Sequence, residues 1–405
     1  MKTNIRISEL SLLGKKNTLD ALLNENPQHS RLAPVYVGSE IYRRAAFGNH
    51  HPLKIVRHAA VLDIVEALGW LPAAQFHDTT PASISELLEF HNPDYVSALQ
   101  YADSEGRVSP EVREKYGIGT LENPVFEGLF ERAAMTVGGS IAAARLANDG
   151  HVAFHPSGGT HHGRVDRASG FCYFNDPVFA IRTLLKAGRE RVVYLDLDAH
   201  HGDGVEAAFL DESRVCTISI HEENRWPYSG KAGEGLSHGA YNLPVPKGFN
   251  DSELEFLIDT VVVPVIDTFA ADGLVICCGA DCLAGDPLSG MMLSNTALWG
   301  TLQRLIKPGV ATVVLGGGGY NPWTVARYWS GIWATLNGAD IPATAPPAVR
   351  AVLDDMECDL IDEEDIEPQW LTTIADSAYR GEIRRSVRSL PSVVMPQERR
   401  SHGMA

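Results

Sequence analysis

The stretch Val192-Val193-Tyr194-Leu195-Asp196-Leu197-Asp198-Ala199-His200-His201-Gly202-Asp203-Gly204 decides how this chain is read. Val192, Val193 and Leu195 read as a buried strand of a parallel sheet. The strand runs into three carboxylates and two imidazoles between Asp196 and Asp203. Open α/β sheets place their ligands beyond the carboxyl ends of the strands, which is where these groups fall. A buried ionised carboxylate is costly unless it is paired or bound to a metal, so Asp-x-Asp-x-His leaving a core strand calls for a cation. The competing reading of this segment alone is a helix start with Asp as its N-cap and two surface histidines.

Three further segments repeat the pattern. Leu274 to Cys278 is a short apolar strand that enters Gly279-Ala280-Asp281-Cys282-Leu283-Ala284-Gly285-Asp286. Thr312 to Leu315 exits through Gly316-Gly317-Gly318-Gly319 to Tyr320, and His151 to Phe154 precedes Gly158-Gly159-Thr160-His161-His162-Gly163. The glycine run lacks the spacing and the lysine of a phosphate-binding P-loop, which argues against nucleotide binding. Four strand ends carrying His-His, Asp-x-Asp-x-His, Asp and Tyr supply metal ligands, acid/base groups and an oxyanion donor.

Gly159-Thr160-His161-His162, Ala168-Ser169-Gly170-Phe171-Cys172-Tyr173-Phe174-Asn175-Asp176, Asp196 to Gly204, Gly279-Ala280-Asp281 and Gly316 to Tyr320 together resemble the histone deacetylase family in order and spacing, from about His51 to about Gly338. The resemblance implies an arginase/deacetylase-like fold and one catalytic zinc held by Asp198, His200 and Asp281. Three protein ligands with an open position for water suit a catalytic zinc. It pairs His161 with Asp196 and His162 with Asp203; we expect His162 to be the general base that then protonates the leaving amine, and His161 its electrostatic partner. Tyr320 is the expected oxyanion donor. Gly170, Phe171, Trp226 and Leu288 are expected to line a channel for the methylene stem of acyl-lysine. Arg57 matches an arginine that lines an internal exit channel for acetate. A potassium site is implied at Asp196, Asp198, His200, Ser219 and Ile220, and a second at Phe209, Glu212, Val215 and Tyr241; hard oxygen donors suit an alkali cation. Two departures stand out. Thr160 replaces the tryptophan usual before the histidine pair, and no counterpart of the acidic rim residue that grips the substrate backbone is evident between Gly106 and Tyr116.

Residues that must converge from His161 to Tyr320 argue for one large α/β domain with a central, mostly parallel sheet. Helical stretches from Glu131 to Asn148, Pro177 to Ala187, Ser252 to Phe269 and Thr296 to Ile306 supply the crossovers. Residues 1–30 read as an amino-terminal arm, 31–340 as the catalytic domain, and 341–405 as an extension with an acidic and then an arginine-containing tail. The formal charge of −17 disfavours nucleic acid as a partner and favours basic substrates. No signal segment or long apolar run is evident, so a cytoplasmic enzyme without membrane contact is expected, and homo-oligomer formation stays open. Six cysteines form no disulfide framework, and adjacent Cys277 and Cys278 should face opposite sides of their strand.

Hydrolysis of acetyl-lysine in proteins or peptides is the leading expectation. Leu288 offers a cationic amine nothing, although Glu222 and Glu223 at the expected mouth would attract a polycation. Acetylpolyamines or another small acylamide are therefore the alternative substrates. A dimanganese ureohydrolase is a distant third, because arginases carry a second Asp-x-Asp cluster where this chain has Gly279-Ala280-Asp281.

Overall fold

In the computed structural model, which describes residues 32–48 and 51–395, the apolar runs that end in His, Asp and Gly are neighbouring strands of a single sheet. Its eight strands are β1 (Val35–Gly38), β2 (Phe76–Asp78), β3 (Val152–His155), β4 (Val192–Asp196), β5 (Val215–Glu222), β6 (Ala240–Val245), β7 (Gly273–Cys277) and β8 (Ala311–Leu315). They lie in the order β2-β1-β3-β8-β7-β4-β5-β6. Every pairing is parallel, so the expectation of a mostly parallel sheet is exceeded.

A parallel sheet must be covered on both faces, and the alternation of side chains shows that it is. Val193, Leu195, Leu274, Ile276 and Val314 join one core with the helices Arg57–Ala67, Asn295–Leu305 and Pro322–Asn337. Val192, Tyr194, Val275, Val313 and Leu315 join the other with the helices Leu129–Asn148 and Asp176–Lys186. Cys277 and Cys278 belong to opposite cores, as the period of a strand requires, and all six cysteines are free.

The expected helix over Ser252–Phe269 is present with one modification. It runs as Asp251–Leu257, a wider π turn at Ile258–Val262, and Val263–Phe269. Pro264 has no N–H to donate back and its ring crowds the preceding turn, which accounts for the wider winding.

The described residues from Ala33 onward form one compact unit. Beyond Gly338 the chain returns to the main core through Val349, Leu353, Trp370, Ile374, Val387, Leu390 and Val394. Trp370 stacks on Trp323 with ring centroids 6.1 Å apart, and the buried Arg327 guanidinium lies 2.6 Å from Asp376. The acidic run from Asp354 to Glu367 stays mostly exposed. The amino-terminal arm expected over residues 1–30 lies outside the described residues, as does the end of the arginine-containing tail. No helix among the described residues is long and apolar enough to cross a membrane.

This topology puts β3, β8, β7 and β4 side by side at the centre. Their carboxyl ends carry His161-His162, Gly316 to Tyr320, Asp281, and Asp196 to His200, so residues up to about 160 positions apart in sequence meet at one edge.

Candidate functional site

After Asp196 the chain leaves β4 in a tight succession of backbone-to-carboxylate hydrogen bonds. Asp198 N–H donates to Asp196 Oδ1 (3.1 Å), His200 N–H to Asp198 Oδ1 (2.9 Å), and Ala199 N–H to Asp281 Oδ1 (2.9 Å). These bonds aim the side chains of Asp198, His200 and Asp281 at a common point, with their ligand atoms all within 4.8 Å of one another and all three residues buried. His200 Nδ1 is 2.9 Å from Asp281 Oδ2 and 3.3 Å from Asp198 Oδ1.

The charges here are those of a site built around a cation. Burial opposes ionisation of Asp198, but His161 and His200 hold its carboxyl well below the usual range. Burial, and then the nearby Asp198 charge, pushes Asp281 up to about 6. Burial would lower His200, yet its bonds to Asp198 and Asp281 raise it to about 10. An imidazolium proton thus stands where two buried carboxylates converge, and a metal ion could replace it. Two carboxylates and one imidazole form a donor set suited to a catalytic divalent ion.

The tandem histidines leave β3 beside this trio. His161 Nδ1 donates to Asp196 Oδ2 (2.7 Å), which also accepts from the Tyr194 hydroxyl (2.8 Å). His162 Nδ1 donates to Asp203 Oδ1 (2.8 Å), and Arg164 pairs with the other oxygen of Asp203. The two rings lie 3.9 Å apart, centroid to centroid. Their environments drive them in opposite directions. Burial alone would lower His161, but Asp196 and Asp198 overcome it and raise the imidazole to about 9. Burial lowers His162 to about 3, and the neighbouring His161 charge adds to the effect despite Asp203. The surrounding charges thus favour the protonated form of His161 and the free base of His162.

The glycine run after β8 forms the floor. Gly318 N–H donates to Asp198 Oδ2 (2.6 Å), and a Cβ at Gly318 would stand 2.2 Å from Asp281 Oδ2. No side chain fits there, so glycine is required by close approach to two carboxylates rather than to a phosphate. The run delivers Tyr320, whose N–H donates to Asp286 Oδ2 (2.7 Å). Asp286 also accepts from Leu288 N–H (2.9 Å), so one carboxylate holds both the backbone that carries the phenol and the residue at the rim. Arg57 donates from Nη1 to the carbonyls of Gly317 and Gly319, both at 3.0 Å, and braces the same floor.

Two cavities meet at these groups. The mouth, about 540 Å³, is lined by Phe171, Trp226, Leu288, His162, His200 and Tyr320 among others. Trp226 stands edge-on to the His162 ring at 4.5 Å, and Phe171 to the Tyr320 ring at 5.8 Å. Gly170 has φ +54, and a Cβ on it would come within 2.5 Å of both His162 Cδ2 and Trp226 Cη2. The inner chamber, about 90 Å³, lies behind His161, His162 and Tyr320 and is lined by Arg57, His58, Arg132, Tyr42, Thr136 and Thr160 among others.

Several participants escaped the sequence reading. Glu122 lines the mouth and accepts the Gly170 N–H at 2.8 Å, outside the Gly106 to Tyr116 span where an acidic rim group was sought. Asp286, Tyr194 and Arg164 carried a sequence signal in their closeness to Asp281, Asp196 and His162, whereas Glu122 carried none. The expectation for Glu222 is overturned. Its carboxylate is buried and bound by Arg225 Nε (2.7 Å), Arg225 Nη2 (2.9 Å) and Gly290 N–H (2.6 Å), so it offers no free charge at the mouth. Glu223 remains exposed. Thr160 turns its hydroxyl to the Phe174 carbonyl (2.7 Å), and its N–H donates to Asp176 Oδ1 (2.7 Å).

Of the residues named for alkali cations, Ser219 pairs in register with Asp196 across β4 and β5, and its hydroxyl lies 2.9 Å from His221 Nδ1. In the second set, the Phe209 carbonyl accepts from Glu212 N–H (3.0 Å) and the Glu212 carbonyl from Val215 N–H (2.9 Å), while Val215 and Tyr241 line a common cavity.

Comparison with known proteins gives a consistent result. Residues 51–336 match the histone deacetylase domain. The chain is 34% identical over 328 residues to the acetoin utilization protein AcuC of Bacillus subtilis, covering 77% of this chain and 84% of that protein. It is 34% identical over 325 residues to histone deacetylase 8 of Xenopus tropicalis, covering 78% and 87% respectively. The crystal structure of a histone deacetylase homologue from Aquifex aeolicus superposes with a TM-score of 0.86 at 33% identity, covering 89% of this chain and 99% of that one.

Proposed function

The chain belongs to the histone deacetylase family and is a deacetylase-type hydrolase; from that premise we propose that it removes acetyl groups from acetyl-lysine in proteins or peptides, with one zinc per chain. The observation that carries the mechanism is the pair of carboxylate-backed imidazoles, His161 Nδ1 on Asp196 and His162 Nδ1 on Asp203, beside three converging metal ligands.

Asp198, His200 and Asp281 would hold the zinc. When bound, it supplies Lewis acidity that polarises an amide carbonyl and brings the pKa of a water to about 7. His162, a free base with Nδ1 anchored on Asp203, accepts a proton from the attacking water at its other nitrogen and returns it to the departing amine. His161, held protonated by Asp196, contributes positive charge beside the developing oxyanion. Burial raises the Tyr320 phenol well above its usual pKa, which keeps it protonated and able to donate to that oxygen. Phe171, Trp226 and Leu288 give the mouth apolar walls suited to a (CH₂)₄ stem, and Glu122 is placed to accept from a substrate backbone N–H.

The same reading assigns a potassium ion to Asp196, Asp198, His200, Ser219 and Ile220 and a second to Phe209, Glu212, Val215 and Tyr241, and it places the enzyme in the cytoplasm. Asp196 is committed to His161 and Tyr194, which speaks against its serving a second transition metal. Metal analysis combined with turnover tests the whole. One zinc per chain, loss of activity on chelation, and faster hydrolysis of acetyl-lysine peptide than of acetylputrescine or acetylspermidine are expected. Two manganese ions per chain with urea release from a guanidino substrate would refute it.

A further inference from the structure

Asn224, Arg225, Trp226 and Tyr228 line the mouth from one loop, and Leu288 lines it from another. The first loop turns sharply. Asn224 and Tyr228 have φ of +57° and +61°, a left-handed conformation that costs residues with side chains energy and persists only where the surroundings impose it. The Tyr228 N–H donates to the Arg225 carbonyl (2.7 Å), which ties the turn only to itself. Among the described residues, every hydrogen bond that leads out of the stretch from Asn224 to Tyr228 belongs to the Arg225 guanidinium.

Those bonds reach two other parts of the mouth. Nε and Nη2 meet Glu222 Oε2 (2.7 Å) and Oε1 (2.9 Å) as a two-pronged ion pair, and Nη1 donates to the Leu288 carbonyl (2.6 Å). Glu222 closes the circuit by accepting the Gly290 N–H (2.6 Å). It is the last residue of β5 and is buried, so losing its partner would strand a charge away from water. Arg225 therefore joins three pieces: the end of β5, the loop that carries Trp226 as its next residue, and the segment from Leu288 to Gly290. Neither Glu222 nor Arg225 has a part in the proton transfers assigned to His162 and Tyr320.

We propose that Arg225, with Glu222, is a positioning residue that fixes the slot walled by Trp226 and Leu288, and so makes the enzyme selective for a slim methylene stem. The proposal rests on the deacetylase reading above, in which the acyl amide enters past these walls. A guanidinium suits the task because its planar fork keeps two bonds on a carboxylate while a third donor turns to a carbonyl. The stem gains contact from both walls only while they stand at a fixed separation, since a gap of under an ångström already forfeits much of the attraction. Such contacts hold the stem in the ground state and the transition state alike, and their loss is read in KM rather than in kcat.

The test uses the zinc-loaded enzyme and one peptide sequence carrying acetyl-lysine or, at the same place, 4-(acetamidomethyl)phenylalanine, which presents the same acetyl amide on a wider aromatic stem. The parent enzyme is expected to favour acetyl-lysine by about tenfold or more in kcat/KM. Arg225→Met should raise KM for acetyl-lysine about tenfold with kcat held within about twofold, and should lower the preference over the wide stem by about tenfold. Arg225→Lys, which keeps the charge without the fork, should fall between. Glu222→Gln should move KM in the same direction, and adding it to Arg225→Met should bring little further change, because both substitutions undo one joint. If Arg225→Met does not fold, as judged by its melting curve, the Lys and Gln variants carry the comparison. KM and preference unmoved in the folded variants, or kcat lost with KM preserved, overturns the proposal and leaves the deacetylase reading intact. So does a parent enzyme that takes the wide stem as readily as acetyl-lysine. A parent enzyme that cleaves neither peptide overturns both.

Discussion

The deep end of the site and its mouth are built by different means. At the deep end every reacting group tops a central strand and is buried: His161 is 3% exposed, and Asp198 and Asp281 are 0%. At the mouth, Glu122, Trp226 and Leu288 come from loops, and the neighbouring Tyr228 is 73% exposed. Hydrogen bonds from backbone amides set the deep side chains to within narrow limits, as at Asp198 and Asp281. The mouth has fewer such restraints, notably the Asp286 bond to Leu288 and the Arg225 bond to its carbonyl (2.6 Å). Rigid strand ends suit transition-state chemistry, whereas loops suit the sorting of substrates. Deep-end substitutions should therefore reduce kcat, and mouth substitutions should redistribute kcat/KM among substrates.

The largest effect is expected from His162→Ala. Removing a general acid/base should cost roughly 10² to 10⁴-fold in kcat while metal stays bound. Metal content and steady-state rates measured on the same sample decide it, and full zinc with undiminished kcat would transfer the base role to His161. Tyr320→Phe comes next. It removes one hydroxyl and keeps the ring that meets Phe171, so kcat should fall by about 10² with little change in KM. A rise in KM with kcat preserved would make Tyr320 a mouth residue in function and erase the contrast.

The same division explains what could be read from the sequence. Each deep-end residue follows an apolar run that ends in a turn, so Asp198, His200, Asp281, His161 and Tyr320 announced themselves through the pattern strand, glycine, chemistry. The neighbours β1, β2, β5 and β6 did not. β1 and β2 are four and three residues long, β6 carries a proline at Pro244, and the eight-residue β5 mixes Thr217, Ser219, His221 and Glu222 into its apolar run although all are buried, so no continuous apolar pattern marked them. Glu122 was invisible because its place depends on a long excursion before the Leu129–Asn148 helix. Glu222 misled for the same reason: as a string, Glu222-Glu223 is two charges at a loop, while in the fold Arg225 neutralises the first. Pairing between loops is decided by tertiary packing and leaves no local periodicity.

A third test asks whether the deep end is one electrostatic unit. His162 is held at about 3 by burial and then by the His161 charge. His161→Gln removes that charge, so His162 should take up a proton at higher pH than in the parent enzyme. With His162 as the proposed general base, its free form is the one that acts, so the acidic limb of kcat/KM should move upward in pH, with activity lost as pH falls through the new value. The rate deficit should thus shrink as pH rises. An acidic limb that stays in place, or moves downward, would show that the metal and burial alone set His162.

The smallest effect belongs to the mouth. Leu288→Glu places a carboxylate beside Phe171 and Trp226 on the path of the substrate, where the native side chain offers a cationic amine no partner. The ratio of kcat/KM for acetylspermidine over acetyl-lysine peptide should therefore rise. Its size is bounded by the surroundings. Arg225 already donates to the Leu288 carbonyl and would compete for the new charge, and an ion pair in a solvated opening contributes up to about 1 kcal/mol, or roughly fivefold. kcat for the peptide should hold, since no group that touches the reacting atoms has changed. A loss of peptide kcat comparable to that in Tyr320→Phe would mean that the Asp286 bond to Leu288 transmits rim changes to the phenol, because the same carboxylate holds Tyr320 N–H. If instead the parent enzyme already favours acetylpolyamines by about tenfold, Leu288 is not the determinant; the carboxylate of Glu122 then becomes the group to replace, with Glu122→Gln as the decisive variant.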